Sequence, residues 1–370
     1  MNEHSTRLEE AWLAESGAIP TFDRTIHPGD ELYHWVRSKG RSEDVLRAHY
    51  FASGHETLRY VEAACQAAGK PLTDQSRILE FASGFGRVTR HLVQRVEPKK
   101  VWTSEILDGA EQFSAEHFGV HAFGSTPDPA NLDFDVEFDL IFVVSLFSHL
   151  PAESYKRFLR RLYELLAPDG VLVYSTHGPS VLPDLELDER GFGFRSESET
   201  LSLDMDDYGT TAISISCAEA FAREVGIEHH ASLERGIWNF QDLHVASRRA
   251  LPSLENWKLA PIVRGVFERS TCREDRIVEI GGWVRWPVTA PDLASVELVM
   301  DGRLRVPAEL HPVTRELDTY AGGAAQRQVD WIVSGPLDDS PPGDYPLVAV
   351  AELVDGTRFA FAVSNLSVTS

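Results

Sequence analysis

The segment Arg77–Leu92, RILEFASGFGRVTRHL, constrains the fold more than any other part of the chain. Its apolar residues Ile78, Leu79 and Phe81 read as a buried strand that carries an acid, Glu80. Ala82-Ser83-Gly84-Phe85-Gly86 reads as a small-residue turn, followed by a helix. A turn without bulky side chains lets backbone approach a ligand, and the helix behind it offers unpaired N–H groups. Such turns are common, and this one gains weight from the regular alternation of elements on its C-terminal side.

That alternation of helix and strand runs for about a hundred residues. Helices are expected over Arg87–Val96, Gly109–Phe118 and Ala152–Leu166. Strands are expected over Lys100–Ser104, Val120–Phe123, Phe138–Ser145 and Val171–Ser175. The continuous apolar run FDLIFVVS suits a parallel strand covered on both faces. Pro151 suits a helix start, and Pro168-Asp169-Gly170 a turn. The alternation implies an α/β fold, a Rossmann-like doubly wound sheet. Residues 178–210 interrupt it as a charged insertion, and loops of that length are often lids. Thr211–Ile215 then reads as a strand resuming the sheet, and Ser216 with Glu219 as a capping box. Ile227–Ser232 and Trp238–Ser247 read as a terminal antiparallel hairpin.

Upstream, residues 1–41 read as a helical, partly irregular segment. Ser42–Gly69 has helical periodicity broken at His49–Gly54. Residues 255–370 hold short β runs: Ile277–Arg285, Ser295–Met300, Gln328–Val333, Tyr345–Leu353 and Phe359–Val363. Turns such as Asp301-Gly302 and Asp355-Gly356 separate them, which predicts an all-β, Ig-like sandwich. A length of 370 residues agrees with two domains, 42–250 and 255–370.

A net charge of −22 argues against a general binder of nucleic-acid backbone. Arg157, Arg160 and Arg161 cluster, but as a solvated helix face. Cys65, Cys217 and Cys272 are too far apart for a metal site or a disulfide framework. The polar N-terminus is not a signal peptide, and no apolar run reaches membrane-spanning length. The expectation is a cytoplasmic protein, not membrane-bound, without a metal, and compatible with self-association.

Glu80-Phe81-Ala82-Ser83-Gly84-Phe85-Gly86 resembles the acidic-x-Gly-x-Gly-x-Gly loop of class I S-adenosylmethionine (SAM)-dependent methyltransferases. Glu105, closing the second strand, matches that family's ribose-holding acid. Phe138–Ile141 with Ser145–Leu150, and Leu165–Leu172 (LLAPDGVL), resemble its fourth strand and its turn into the fifth. The resemblance covers about residues 42–250. It implies SAM as cofactor, held by Glu80, Ala82, Ser83, Gly84, Gly86, Glu105 and Ser145. Two positions depart from the pattern: Ala82 stands at the loop's first glycine, and Asp169 where glycine is usual. A nicotinamide or flavin domain prefers G-x-G-x-x-G, which this loop lacks. No G-x-S-x-G hydrolase elbow occurs.

Individual residues keep plainer alternatives. Glu105 could be a helix-leading acid, and Glu80 could complement the following helix N-terminus. His149 and His177 follow adjoining strands at the edge where α/β sheets bind ligands, so they are the catalytic candidates. Either could take a proton from a hydroxyl, or simply cap a helix or bond a carbonyl. His55, Tyr50 and Tyr208 are candidates to contact the acceptor, with core packing as the alternative for Tyr50. Gln241 and Asp242 on the last strand form either a buried polar pair or an exposed strand face. Trp283, Trp286 and Trp331 fit a sandwich core or a carbohydrate surface. The function expected is methyl transfer to a hydroxyl, less readily an amine, of a small molecule or sugar unit. The alternatives are a non-catalytic SAM-fold binding or assembly protein, and carbohydrate recognition through the β domain.

Overall fold

The computed structural model describes residues 3–17, 22–38, 43–198, 203–238, 240–252, 263–287, 290–312, 326–337 and 340–368. The expected boundary between 250 and 255 falls, from residue 253 on, outside the described residues, as does the middle of the insertion, 199–202. The chain forms two compact units, one of residues 22–35 and 54–260, the other of 1–21, 36–53 and 261–370. The first 41 residues are therefore not a separate segment but are shared between the units.

Three helices precede the first strand: α1 (Glu3–Ser16), α2 (Glu31–Arg37) and α3 (Glu43–Ala67). No break occurs at 49–54, contrary to expectation. Tyr50 and Phe51 are buried along α3, and Gly54 is there for contact: a Cβ on it would lie 2.1 Å from the Arg87 carbonyl oxygen.

The α/β unit continues with β1 (Ile78–Phe81), α4 (Thr89–Leu92), β2 (Val101–Glu105), α5 (Ala110–Phe118), β3 (His121–Gly124), β4 (Phe138–Val143), α6 (Ala152–Glu164) and β5 (Leu166–His177). It ends with β6 (Phe192–Arg195), β7 (Thr210–Ile213), α7 (Ile215–Glu224), β8 (His229–Ile237) and β9 (Gln241–Ser247). Seven strands form one sheet in the order β3-β2-β1-β4-β5-β9-β8. The first five run parallel, and β9 and β8 are the expected antiparallel hairpin. Strand β1 thus lies between β2 and β4, buried along its whole length, which explains its unbroken apolar character. Leu79, Phe81, Ile141, Val143, Leu172 and Tyr174 of the strands share a core with Tyr155, Phe158 and Leu159 of α6 and Phe221 of α7.

Three local expectations change. The helix after the glycine turn is a single α turn, because its bonds alternate between i−3 and i−4 acceptors. Strand β7 does not rejoin the main sheet but pairs with β6 from the insertion. The cap of α7 is Ser214, whose hydroxyl oxygen accepts from Cys217 N, rather than Ser216.

The second unit holds β10 (Arg264–Cys272), β11 (Ile277–Pro287), β12 (Leu293–Met300), β13 (Leu304–Pro307), β14 (Glu309–Pro312), β15 (Gln326–Pro336), β16 (Gly343–Leu353) and β17 (Arg358–Val368). Two four-stranded antiparallel sheets, β10-β11-β15-β14 and β13-β12-β16-β17, share one apolar core. Trp286 and Trp331 are buried in it, which removes them as a carbohydrate platform. Trp283 alone is partly exposed, under the Arg285 guanidinium at 4.5 Å. Helix α1 and the start of α3 belong to this unit. Leu8, Ala11, Trp12, Ala48 and Ala52 pack on Val299, Val348, Val350 and Val363, and buried Glu9 pairs with Arg47.

Candidate active site

The glycine turn is built from left-handed backbone. Ala82, Gly84 and Gly86 have φ of 58°, 56° and 74°. For Ala82 that conformation costs about 1–2 kcal/mol. The amides of Ala82 and Ser83 both reach the Ser104 carbonyl, at 2.8 and 3.3 Å, which ties the turn to the end of β2. Gly86 is required twice over, since a Cβ there would also meet the Phe118 ring at 2.1 Å. At Gly84 a Cβ would meet nothing within 4 Å, so the turn's crest is open.

Glu105 closes β2 and its carboxylate faces this crest. Oε2 accepts from Gly84 N at 2.6 Å, and Oε1 from Ile106 N and Leu107 N at 2.7 and 3.1 Å. Burial raises its pKa, against these three bonds, and nearby Glu31 adds to the rise. Glu80, also buried, accepts from the Thr89 hydroxyl at 2.6 Å. Burial pushes it up to about 8, against the Thr89 bond and the Arg87 charge, so it is largely protonated at neutral pH. A small cleft between β1 and β4 is lined by Glu80, Ala82, Ser83, Arg87, Phe142 and Val144.

The turn carries a second support that the sequence did not announce. Arg90 is fully buried, and its guanidinium donates to the carbonyls of Gly86 (2.8 Å) and Phe85 (3.1 Å). It also donates to Asp23 and Thr25, both at 2.9 Å. One side chain therefore binds residues 23–25 to the glycine turn. His27 stacks on Phe85 at 4.2 Å, and Asp23 meets His117 at 2.8 Å. An arginine in an amphipathic stretch reads as exposed; only backbone carbonyls converging from distant residues make burial affordable.

At the exits of β4 and β5 a polar cluster forms. Ser145, with φ 69°, donates its amide to Ser175 Oγ at 2.9 Å. The Ser175 hydroxyl donates to Gln241 Oε1 at 2.7 Å. Gln241 Nε2 donates to Ser145 Oγ at 3.0 Å and to His177 Nε2 at 3.2 Å. His149 lies beside them, its ring centroid 6.2 Å from that of His177, and Nδ1 is 2.8 Å from the Gly209 carbonyl. Tyr208 stacks flat on His149 at 4.5 Å. The insertion is stitched to this exit by Gly209 N to His149 O, Thr211 N to Ser148 O and Thr211 Oγ1 to Leu150 O. At the tip of the β8–β9 hairpin, Phe240 is exposed beside His177 at 5.2 Å, and Trp238 lies under the Arg87 guanidinium at 5.7 Å.

Of the residues expected at the acceptor, Tyr208 stands in the histidine cluster. His55 instead packs against His91 at 5.6 Å, and burial, with Arg59 and Arg95, pulls it down to about 4. Tyr50 is buried in the other unit, edge-on to Phe51 at 5.5 Å. Gln241, Arg87, Arg90 and Gly209 were not among the expected site residues. Gln241 and Asp242 are buried, so the exposed-face alternative for them does not hold. Among the described residues no group of side chains could hold a metal ion, and no helix is long and apolar enough to cross a membrane.

The sheet order β3-β2-β1-β4-β5-β9-β8, with its helices, matches the Rossmann-like fold of SAM-dependent methyltransferases. Residues 53–223, a little under half of the chain, match the family described as methyltransferase domain. No curated protein matches the chain in sequence. Similar solved structures include a DhpI–SAH complex (17% identity, covering 62% of this chain and 100% of that one, TM-score 0.35). SAM-bound CalS10, an amino pentose methyltransferase from Micromonospora echinaspora, is 16% identical, covering 61% and 99%, with TM-score 0.40. A SAM-dependent methyltransferase from Clostridium acetobutylicum is 12% identical, covering 58% and 96%, with TM-score 0.40.

Proposed function

We propose that the α/β unit binds SAM across the glycine turn and methylates a hydroxyl group of a small molecule or sugar unit. The residues fit the cofactor. Glu105 is acceptor-only when ionised, and its three amide partners leave capacity for a ribose hydroxyl. The open crest at Gly84 admits a ligand against backbone, while Glu80, Ala82 and Ser83 line the cleft; Gly86 and Ser145, in the same turn and at the exit of β4, complete the proposed cofactor set. When bound, SAM supplies a methyl group already activated on a sulfonium sulfur.

The observation that carries the hydroxyl assignment is the Gly209 carbonyl at 2.8 Å from His149 Nδ1. A carbonyl only accepts, so Nδ1 of the ring carries a proton. His149 is the residue assigned to take the proton a hydroxyl must lose, and Tyr208 stacks flat on its ring. The buried surroundings limit water at the reacting centre.

The test is transfer of labelled methyl from SAM to a panel of hydroxyl acceptors by the wild-type protein and His149→Ala. The variant is expected to lose about 10²–10⁴ in kcat while S-adenosylhomocysteine (SAH) affinity is kept. Unchanged turnover in the variant would remove His149 as the base.

A further inference from the structure

We infer that the cofactor's amino-acid end enters the cleft beside Glu80 and that its ammonium takes the place of a proton on that carboxyl, so that binding releases a proton to solvent; this rests on the function proposed above. Two buried groups in the cleft point to the exchange. Glu80 is 4% exposed and lines the cleft. Its Oε2 accepts from the Thr89 hydroxyl at 2.6 Å, and among the described residues it forms no ion pair. Ser83 is 6% exposed and lines the same cleft, and its hydroxyl has no hydrogen-bond partner among the described residues.

The charged groups around Glu80 leave it without a paired cation. Arg87 lines the cleft, but its Nη1 donates to Thr57 Oγ1 at 3.2 Å and its guanidinium lies over the Trp238 ring at 5.7 Å. Arg90, on α4, serves the carbonyls of the glycine turn and of Asp23 and Thr25. Glu105, at the end of β2, adds a repelling charge. From β4 and the residue after it come only Phe142 and Val144. A buried carboxylate with no cation against it is costly, so Glu80 keeps its proton at neutral pH.

A carboxyl that lacks a charge partner, beside a hydroxyl that lacks a hydrogen bond, fits an ammonium group, which brings one positive charge and several N–H donors. The exchange balances. The O–H bond of Glu80 breaks, its proton passes to the buffer, and the carboxylate pairs with the ammonium, so the ammonium adds no net charge to the buried cleft. The Thr89 hydroxyl donates to Glu80 before and after. A neutral donor in the same place would leave the proton where it was.

The experiment is calorimetric titration of SAH, which carries the ammonium, into the full chain at pH 7 in buffers of different ionisation enthalpy. The slope of the observed heat against that enthalpy counts the protons released. About one proton per bound SAH is expected, and affinity should rise by up to about tenfold per pH unit from about pH 6 to 8 and then level off. In Glu80→Gln, which keeps an oxygen for the Thr89 hydroxyl, the release should vanish and the affinity should lose this pH dependence. Failure of SAH to bind the folded wild type would overturn the proposed function itself. SAH bound without proton release, or with the same release in Glu80→Gln, would overturn the inference alone. The wild type also decides by itself if the variant does not fold, because release that persists undiminished at about pH 9 would overturn the inference as well.

Discussion

Among the described residues of the α/β unit four with side chains hold left-handed backbone: Ala82, Ser145, Arg235 and Trp238. All four stand where the turns of β1, β4 and the β8–β9 hairpin meet the carboxyl edge of the sheet. In the sandwich, among the described residues, only Arg276 and Asp301 do so, each in a turn between adjacent strands. Buried polar groups divide the same way. The α/β unit buries Glu80, His149, His177, Gln241 and Asp242, whereas among the described residues of strands β10–β17 the buried polar atoms are few, such as Trp286 Nε1, Trp331 Nε1 and Asn365 Oδ1, and the charged Glu9 of the same unit is paired with Arg47. Each left-handed residue costs about 1–3 kcal/mol, and each buried polar group demands a partner. The sandwich core is almost wholly apolar. The sheet edge departs from that pattern where a ligand would sit, which is where departures carry meaning.

That contrast can be broken by experiment. The largest expected effect is in the sandwich. Trp331→Ala removes a fully buried ring and should cost about 3–5 kcal/mol in denaturant unfolding, with SAH affinity unchanged. An equal loss of SAH affinity would erase the distinction between the units.

The next effect is pH-dependent. The folded pKa of Glu80, about 8, lies above its unfolded value. The folded state therefore holds a proton the unfolded chain has lost, and the stability contributed by Glu80 falls between about pH 4.5 and 8. Glu80→Gln, which keeps an oxygen for the Thr89 hydroxyl, should remove that slope, at most about 1.4 kcal/mol per pH unit. Parallel stability–pH curves for the two proteins would contradict the assignment.

Smaller effects sharpen the picture at the turn. Gly86→Ala combines left-handed strain with the Phe118 clash and should destabilise by about 1–3 kcal/mol. Ala82→Gly should do the reverse, stabilising by up to about 1 kcal/mol. Thermal unfolding of the pair checks both signs, and a destabilising Ala82→Gly would mean that the methyl group packs usefully.

Much of the architecture was legible because parallel strands buried on both faces leave unbroken apolar runs. Strands β1, β2, β4 and the β8–β9 hairpin fall within a few residues of expectation, as do the strands around Trp283 and Trp331. Strands β13 and β14 escaped because four mostly exposed residues carry no alternation. The candidate site was legible where side chains announce it, at Glu80, Glu105, His149 and His177. It was illegible where backbone sets the geometry. Arg90 is held by four carbonyls, and the His149 proton is set by a carbonyl 60 residues away. Nothing in the residue types at 208–211 reports that contact.

The most direct measurement is calorimetric titration of SAH into the full chain and into Glu105→Ala. One saturable site per chain is predicted, with affinity at least about tenfold weaker in the variant, a difference of about 1.4 kcal/mol. Absence of binding to the folded wild-type protein, or equal affinity in the two, would contradict a cofactor site at the glycine turn.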